Sequence, residues 1–499
     1  MTITDILAGL NSPFAEASEN AVVVLAAGHG KRIKSEQSKM LHQIWGVSTV
    51  ERVHAAAERG LNNANIVIVV GVKAEDVAVA VGKRERTQFV YQAEQRGTGD
   101  AVRVALAAVT AKHAKHCYVL PGDMGLVYPA ALSDFSASFK ASKNDMMVLT
   151  GIFEGPVHEN YYGRIVRAKQ TTADGKASAH AGKVIEIKEY KDIMALTGDY
   201  RVTLAGETFS YTKDELLAIR EFNAGVYAFS MEHLQSHIVE LKSNNVQHEL
   251  YITDLIAIFN QHGLTVGAVS PKENTVVLGF NNKSVLKMMD NIARERVYEK
   301  IKDIVTIDDE EDFFIADEVI AQILALDTKG EPLDIVIGKG VHLGKRVKIN
   351  YGMHLQKNVF VDGAVVFGRG VTVWANVHLS CYDNQTMNIG DKVEILWGNI
   401  IKGNIAIKDG ARIESSVNIT GSDEHPVSVG RGVIIKGTSY IFGSVIEDGV
   451  SIEHSILIRK FVRATKDVNG GIQKIRFVLP QPEGLDSIVD VDAVVKKNW

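Results

Sequence analysis

The 499-residue chain carries two cysteines, Cys117 and Cys381, far apart in sequence. So few thiols exclude a disulfide framework and a metal–thiolate centre, and they suit a reducing compartment. No apolar run reaches the length of a membrane span, and the opening MTITDILAGLNSPFAEASEN has acids but no basic n-region. Neither a bilayer-crossing helix nor a secretory leader is expected, and the cytoplasm is the expected location. Neither sign of charge dominates, because 55 Lys and Arg against 60 Asp and Glu leave a formal net charge of -5. That balance removes any global electrostatic reason for a nucleic-acid or membrane partner, so an anion site must be local. What is present, 46% hydrophobic and 23% charged residues, is ordinary globular material with length for two or more cores.

A local anion site is suggested at once. Six apolar residues, Val22 to Ala27, end in Gly28-His29-Gly30, and Lys31, Arg32, Lys34 and Lys39 follow. A buried strand feeding a glycine turn presents backbone N–H groups and basic side chains to an anion such as phosphate. Val50 to Gly60 then reads as a helix and ANIVIVVG, residues 64–71, as a second buried strand, the start of a doubly wound α/β sheet. A helix at Ala74 to Val81, a strand at Gln88 to Tyr91 and a helix at Asp100 to Ala111 lead to the apolar strand Cys117 to Leu120. Asp123 therefore stands at the carboxyl edge of the sheet, where open α/β folds bind ligands. Further strands are expected at Met147 to Ile152, Gly163 to Arg167, Val184 to Lys188 and Phe222 to Phe229, with surface excursions at residues 170–181 and 191–201. Helical spacing returns at Met231 to Leu241, Tyr251 to His262 and Ser284 to Lys302, before an acidic stretch, Asp308 to Asp312, that reads as a solvated linker.

Beyond it the period changes. Ile337, Leu343, Ile349, Leu355, Val361, Phe367, Val373 and Leu379 recur every six residues, most with an apolar partner four residues on, from Val341 to Val377. Strand alternation alone would drift over such a distance, so the pattern predicts a parallel β-helix with stacked apolar rungs. The register breaks at Cys381 to Met387, resumes irregularly to about Ile458, and is followed by one expected strand, Ile472 to Leu479.

The glycine turn lacks the spacing of a Walker phosphate loop, and Ile33 stands where a dinucleotide fingerprint needs its third glycine. What remains, L-A-A-G-x-G-x-R followed by S-x-x-S-K, resembles the sugar-phosphate nucleotidyltransferase family. Gln92-Ala93-Glu94-Gln95 with Gly97-Thr98-Gly99, then Gly122-Asp123, Tyr162-Gly163-Arg164-Ile165, Glu189-Tyr190-Lys191-Asp192, Asn223-Ala224-Gly225, Tyr251-Ile252-Thr253-Asp254 and Gly279-Phe280-Asn281-Asn282 follow in the family's order. They are most similar to the uridylyltransferase half of the bacterial bifunctional N-acetylglucosamine-1-phosphate uridyltransferases. The resemblance implies a Rossmann-like doubly wound mixed sheet followed by a left-handed parallel β-helix of hexapeptide repeats. It also implies Mg²⁺-dependent transfer of uridylyl from UTP to N-acetylglucosamine 1-phosphate with release of pyrophosphate. The expected limits are an N-terminal extension (1–20), a nucleotidyltransferase domain (21–305), an acidic linker (306–332), a β-helix domain (333–460) and a tail (461–499).

By that resemblance Arg32 and Lys39 are the catalytic cations, and Leu25, Ala26, Ala27, Gly28, Gly30, Gln92, Gly97 and Thr98 bind the nucleotide. Gly163, Glu189, Asn223 and Thr253 hold the sugar, and Asp123 and Asn281 hold Mg²⁺. The sequence departs from the family pattern at Lys31, Ser38 and Ala224, where threonine, proline and threonine are usual. The acetyltransferase motifs expected of a bifunctional hexapeptide domain, R-P-G, G-N-F and N-Y-D-G, do not occur, so acetyl transfer is not expected and the β-helix is read as structural, serving homo-oligomerisation or regulation. Two alternatives stay open: a pyrophosphorylase for another UDP- or NDP-sugar, and a non-catalytic sugar-nucleotide-binding regulatory subunit. His29, His42 and His248, like His354, His378 and His454, are read as solvated or structural.

Overall fold

The computed structural model describes residues 2–16, 18–28, 30–110 and 113–478, without the side chain of Lys31. His29 and the Lys-Lys-Asn-Trp end lie outside the described residues. The chain divides into two compact units, Met1–Asp290 and Asn291–Trp499.

The first unit is built on a nine-stranded mixed sheet. Its main path runs Val266–Val269, Met146–Ile152, Glu221–Ser230, His116–Pro121, Asn20–Ala26, Asn65–Val70, Thr87–Tyr91, and Arg164–Arg167 with Val184–Lys188 branch from the long strand. Neighbours on the main path pair in parallel except Glu221–Ser230, which runs antiparallel to both of its partners. The central strand is apolar from Ala21 to Ala26 because both faces are covered. Val22, Val24 and Ala26 point into one core, shared with the helices Thr49–Gly60, Ala74–Val81 and Pro129–Ser142, while Ala21 and Val23 point into another, shared with Leu255–Gln261. Alternate side chains of one strand thus fill two helix-covered layers. The Ile3–Leu10 helix, held by a Thr2 capping box, docks Leu7 on the first of these cores.

Several expectations are refined. The helix read at Asp100 to Ala111 ends at Ala105 and gives way to turns. The helix read at Tyr251 to His262 is a 3-10 turn, Ile252–Asp254, followed by Leu255–Gln261. The polar excursion 191–201 begins in the helix Tyr190–Met194 and ends in a hairpin, Tyr200–Leu204 with Glu207–Tyr211, whose Phe209 and Tyr211 close a small third core.

The second unit is a parallel β-helix. Val336, His354 and Thr372 are successive partners 18 residues apart, three six-residue turns per coil. Thr372 pairs with Glu394, 22 residues on, because residues 381–385 bulge from that coil; Arg412 pairs with Ile434 at the same interval, because residues 422–426 bulge from a later one. The break in the hexapeptide register is therefore a loop insertion, and the rungs continue beneath it. Gln385 Nε2 donates to Asp423 Oδ1 at 2.8 Å, tying the two loops together. The acidic stretch is more ordered than a linker: Thr306–Ile307 and Phe313–Ile315 pair with the first coil, and Asp317–Asp327 is a helix. Instead of the strand expected at Ile472 to Leu479, the described tail makes only isolated bridges, Ile452 with Ile475 and Lys466 with Ile472; Leu479 lies outside the described residues.

Candidate active site

A cavity of about 840 Å³ opens at the carboxyl ends of the strands of the first unit, lined by Leu25, Ala27, Gly28, Gln92, Gly97, Thr98, Asp123, Glu189, Asn223 and Thr253 among others. Gly28 follows the central strand, Gln92 follows Thr87–Tyr91, Asp123 follows His116–Pro121 and Glu189 follows Val184–Lys188. The first three of these strands are parallel and end on the same side, so Gly28, Gln92 and Asp123 reach one crevice; Val184–Lys188, antiparallel to Arg164–Arg167, runs opposite to the central strand, and Glu189 reaches the crevice from that branch.

At one end of the crevice, Lys39 bonds the carboxylate of Asp123 and donates to Asn281 Oδ1 at 3.1 Å, with its ammonium 5.2 Å from the Phe280 ring centroid. Lys39 lies on a short 3-10 turn capped by the Ser38 hydroxyl, which accepts from Met40 N, so the serine found in place of proline supplies a cap. Gly30 has φ +58°, and a Cβ there would stand 2.7 Å from Lys39 Cβ, so only glycine lets the loop fold against the lysine. Asp123 and Asn281 aim two hard oxygens at one cation, here the lysine ammonium, and this donor set fits Mg²⁺. Ala26 is buried beneath the loop, and the Arg32 side chain is exposed outside the cavity lining.

The middle of the cavity is a zipper of two loops. Leu250 N donates to Arg96 O, Gly99 N to Leu250 O at 2.8 Å, and Ile252 N to Thr98 Oγ1 at 3.1 Å. Gly97 has φ +111°, and a Cβ there would meet Leu250 O at 2.5 Å. Gln92 is buried, and its Nε2 donates to Asp100 Oδ2 at 2.8 Å, which fixes the orientation of its amide.

At the far end Gly163, Glu189 and Asn223 are neighbours. A Cβ on Gly163 would lie 2.9 Å from Glu189 Oε1, and Asn223 N donates to Gly163 O at 2.9 Å. Asn223 is pinned on both sides, donating from Nδ2 to the Tyr227 hydroxyl at 2.7 Å and accepting from Gly225 N at 2.8 Å. The strand bulges between Asn223 and Val226, so the backbone here is shaped by Gly225, at φ +77°, and not by the hydroxyl missing at Ala224. Beneath lies the fully buried Arg164, donating to the carbonyls of Asn160 and Tyr162. Burial, with the charges of Asp192 and Asp254, pushes the Glu189 carboxyl up to about 7, and Arg164 opposes the shift. Burial and the charges of Glu186 and Asp192 raise Asp254 to about 6. The buried Thr253 Oγ1 has no hydrogen-bond partner in the protein, so the cavity offers an unused donor and acceptor beside these carboxyls.

Gln95, Lys191, Tyr227, Gln247, Glu249 and Tyr251 also line the cavity. Gln95, Lys191 and Tyr251 fall inside motifs quoted above, where their position was the signal; Gln247 and Glu249 come from an aperiodic polar stretch held at the site by the Leu250 zipper and by Val246 N donating to Asp192 Oδ1. His42 packs edge-on to Phe280, and His248 is exposed.

Residues 22–188 match the family of MobA-like NTP transferase domains. The chain is 31% identical over 388 residues to the bifunctional protein GlmU of Acetivibrio thermocellus, covering 75% of each chain. It is 28% identical over 486 residues to the bifunctional protein GlmU of Shouchella clausii, covering 89% of this chain and 99% of that one. With a nucleotidyltransferase sheet, a cavity at its strand ends and a β-helix following in the sequence, the chain belongs to the GlmU family and is a nucleotidyltransferase of the sugar-nucleotide pyrophosphorylase class.

Proposed function

We propose that the chain is a UDP-N-acetylglucosamine pyrophosphorylase, joining UTP and N-acetylglucosamine 1-phosphate with release of pyrophosphate, and that its β-helix carries no acetyltransferase. The observation that carries the reading is that one cavity unites the glycine loop, Asp123, and the Glu189, Asn223 and Thr253 cluster. The attacking group, a sugar phosphate oxygen, is already anionic, so the reaction needs alignment and charge neutralisation more than a base. An oxygen of the sugar phosphate forms a bond to the α-phosphorus while the bond to the bridging oxygen of pyrophosphate breaks, and no proton need move. Arg32 and the N–H groups from Gly28 to Lys31 take the leaving pyrophosphate, and Lys39 is a point charge between phosphates. Asp123 and Asn281 would hold Mg²⁺, which when bound would neutralise phosphate charge. Lys39, bonded to Asp123 and Asn281, stands beside that position. Leu25 to Gly28, Gly30, Gln92, Gly97 and Thr98 hold the nucleotide, with Gln92 reading the base through an amide fixed by Asp100. Glu189, Asn223 and Thr253 take the sugar hydroxyls and acetamido group, with Gly163 leaving room for the Glu189 carboxyl.

A panel of nucleoside triphosphates and sugar 1-phosphates, scored by pyrophosphate release with and without Mg²⁺, tests this reading. Preference for UTP with N-acetylglucosamine 1-phosphate is expected. Preference for another pair would replace the substrate assignment, and no release with any pair would leave a binding subunit. Asp123→Ala should reduce Mg²⁺-dependent turnover by at least about 10²-fold, and unchanged turnover would remove its assigned role. Acetyl transfer from acetyl-CoA to glucosamine 1-phosphate should be absent; robust transfer would overturn the reading of the β-helix.

A further inference from the structure

Away from the cavity lining, the first unit brings two histidines and a glutamate to one point. His237 ends the helix Met231–His237, Glu240 lies on the following 3-10 turn Ile238–Glu240, and His262 caps the helix Leu255–Gln261. Glu240 spans the pair: its Oε1 is 2.7 Å from His237 Nδ1 and its Oε2 is 3.0 Å from His262 Nε2. The two imidazole centroids are 4.2 Å apart, and one ligand atom from each of the three residues lies within 4.8 Å of the others. The His237 ring is positioned from behind by an edge contact with Phe259 at 5.7 Å.

We propose that His237, Glu240 and His262 bind one divalent transition-metal ion of the zinc type. Two imidazole nitrogens and a carboxylate oxygen are zinc ligands in number and kind, leaving a fourth position for water, whereas Mg²⁺ prefers an all-oxygen shell. The carboxylate already sits between the two rings. A metal takes the place of the two hydrogen bonds, with each neutral imidazole keeping its proton on its other nitrogen and only short side-chain adjustments required. The His262 and Glu240 side chains are 45% and 39% exposed, so an ion reaches them from solvent. The helix ending at His262 starts beside Thr253, and its Asn260 Nδ2 donates to Val184 O and Ile185 O on the strand that ends before Glu189. The ion would therefore clip that helix to its neighbour and stiffen the back of the cavity, a role independent of which nucleotide and sugar the cavity takes.

The test is calorimetric titration of Zn²⁺ into the full-length, untagged chain after chelator treatment, with thermal unfolding followed in parallel. One saturable Zn²⁺ site per chain that Mg²⁺ does not displace, and a melting-temperature rise with Zn²⁺ that is diminished in His262→Gln, are expected. His262→Gln and His237→Gln should each weaken that site by at least about tenfold, and Glu240→Gln should weaken it too. Far-UV circular dichroism identifies any variant that has not folded, and the exposed His262→Gln decides the matter should His237→Gln be lost. No saturable Zn²⁺ site, or a folded His262→Gln that binds as tightly as the parent, would overturn the proposal.

Discussion

Glu189 shows how far one residue's chemistry departs from its type. Removed from water and set near two other acids, its carboxyl is raised to about 7, so near neutrality it is half protonated and can both donate to and accept from a sugar hydroxyl. In the unfolded chain the same group titrates near the ordinary carboxylate value. Between these two values the native state binds more protons than the unfolded state, so this group's contribution to stability falls as pH rises and is lost through about pH 7. The buried His54 and the half-buried His116, whose pKa values burial lowers, act in the opposite direction over part of the same range. The comparison must therefore be made between variants. Glu189→Gln should gain stability over the parent between pH 5 and pH 8, on the order of 1–3 kcal/mol, in urea unfolding at the two pH values. An unchanged difference would mean that the carboxyl is ionised in the folded state at both.

At the scale of elements, the site depends on loops that close on one another. Gly97 is the point where the Gln92–Gly99 loop passes under Leu250, and no side chain fits there. Gly97→Ala should raise the KM for the nucleotide by about tenfold or more, because a displacement near 1 Å at a binding loop costs on that scale. Gly175→Ala is the control: it also has positive φ, +82°, but nothing lies within 4 Å of an added Cβ, so steady-state kinetics should leave the nucleotide KM unchanged. The loop facing Gly97 is the least legible part of the site in sequence. Val246 to Leu250 has neither helical nor strand period, and its place in the site comes from bonds to remote residues, Leu250 with Arg96 and Gly99 and Val246 N with Asp192 Oδ1. The Tyr200–Leu204 and Glu207–Tyr211 hairpin alternates regularly, Tyr200, Val202 and Leu204 with Arg201 and Thr203, but each strand is only five residues long and sits apart from the main sheet, too short a pattern to stand out from the polar stretch around it.

Over the whole molecule, the two units rest on different regularities. In the first, apolar strands are covered on both faces; in the second, every coil stacks inward side chains on those of the coil before. Ile401 is fully buried in that stack while its neighbour Ile400 is 46% exposed. Ile401→Ala should cost about 2–5 kcal/mol and Ile400→Ala only about 0.5 kcal/mol, as chemical denaturation would measure. The hexapeptide anchors from Ile337 to Leu379 are all buried, so the period alone located the rungs; two loop insertions and a last coil shortened to 16 or 17 residues hid its continuation. By itself the sequence determined the strand and glycine turn, the order of the elements around it and the six-residue coil, because each is a local repeat of apolar positions with a fixed geometric period. Only the tertiary structure decided that Lys39 meets Asp123 and Asn281, that Ser38 caps its turn, that Glu189 is held partly neutral, and that His237, Glu240 and His262 converge. Those properties arise from burial and from distances between groups remote in the chain, and neither has a period that a sequence can display.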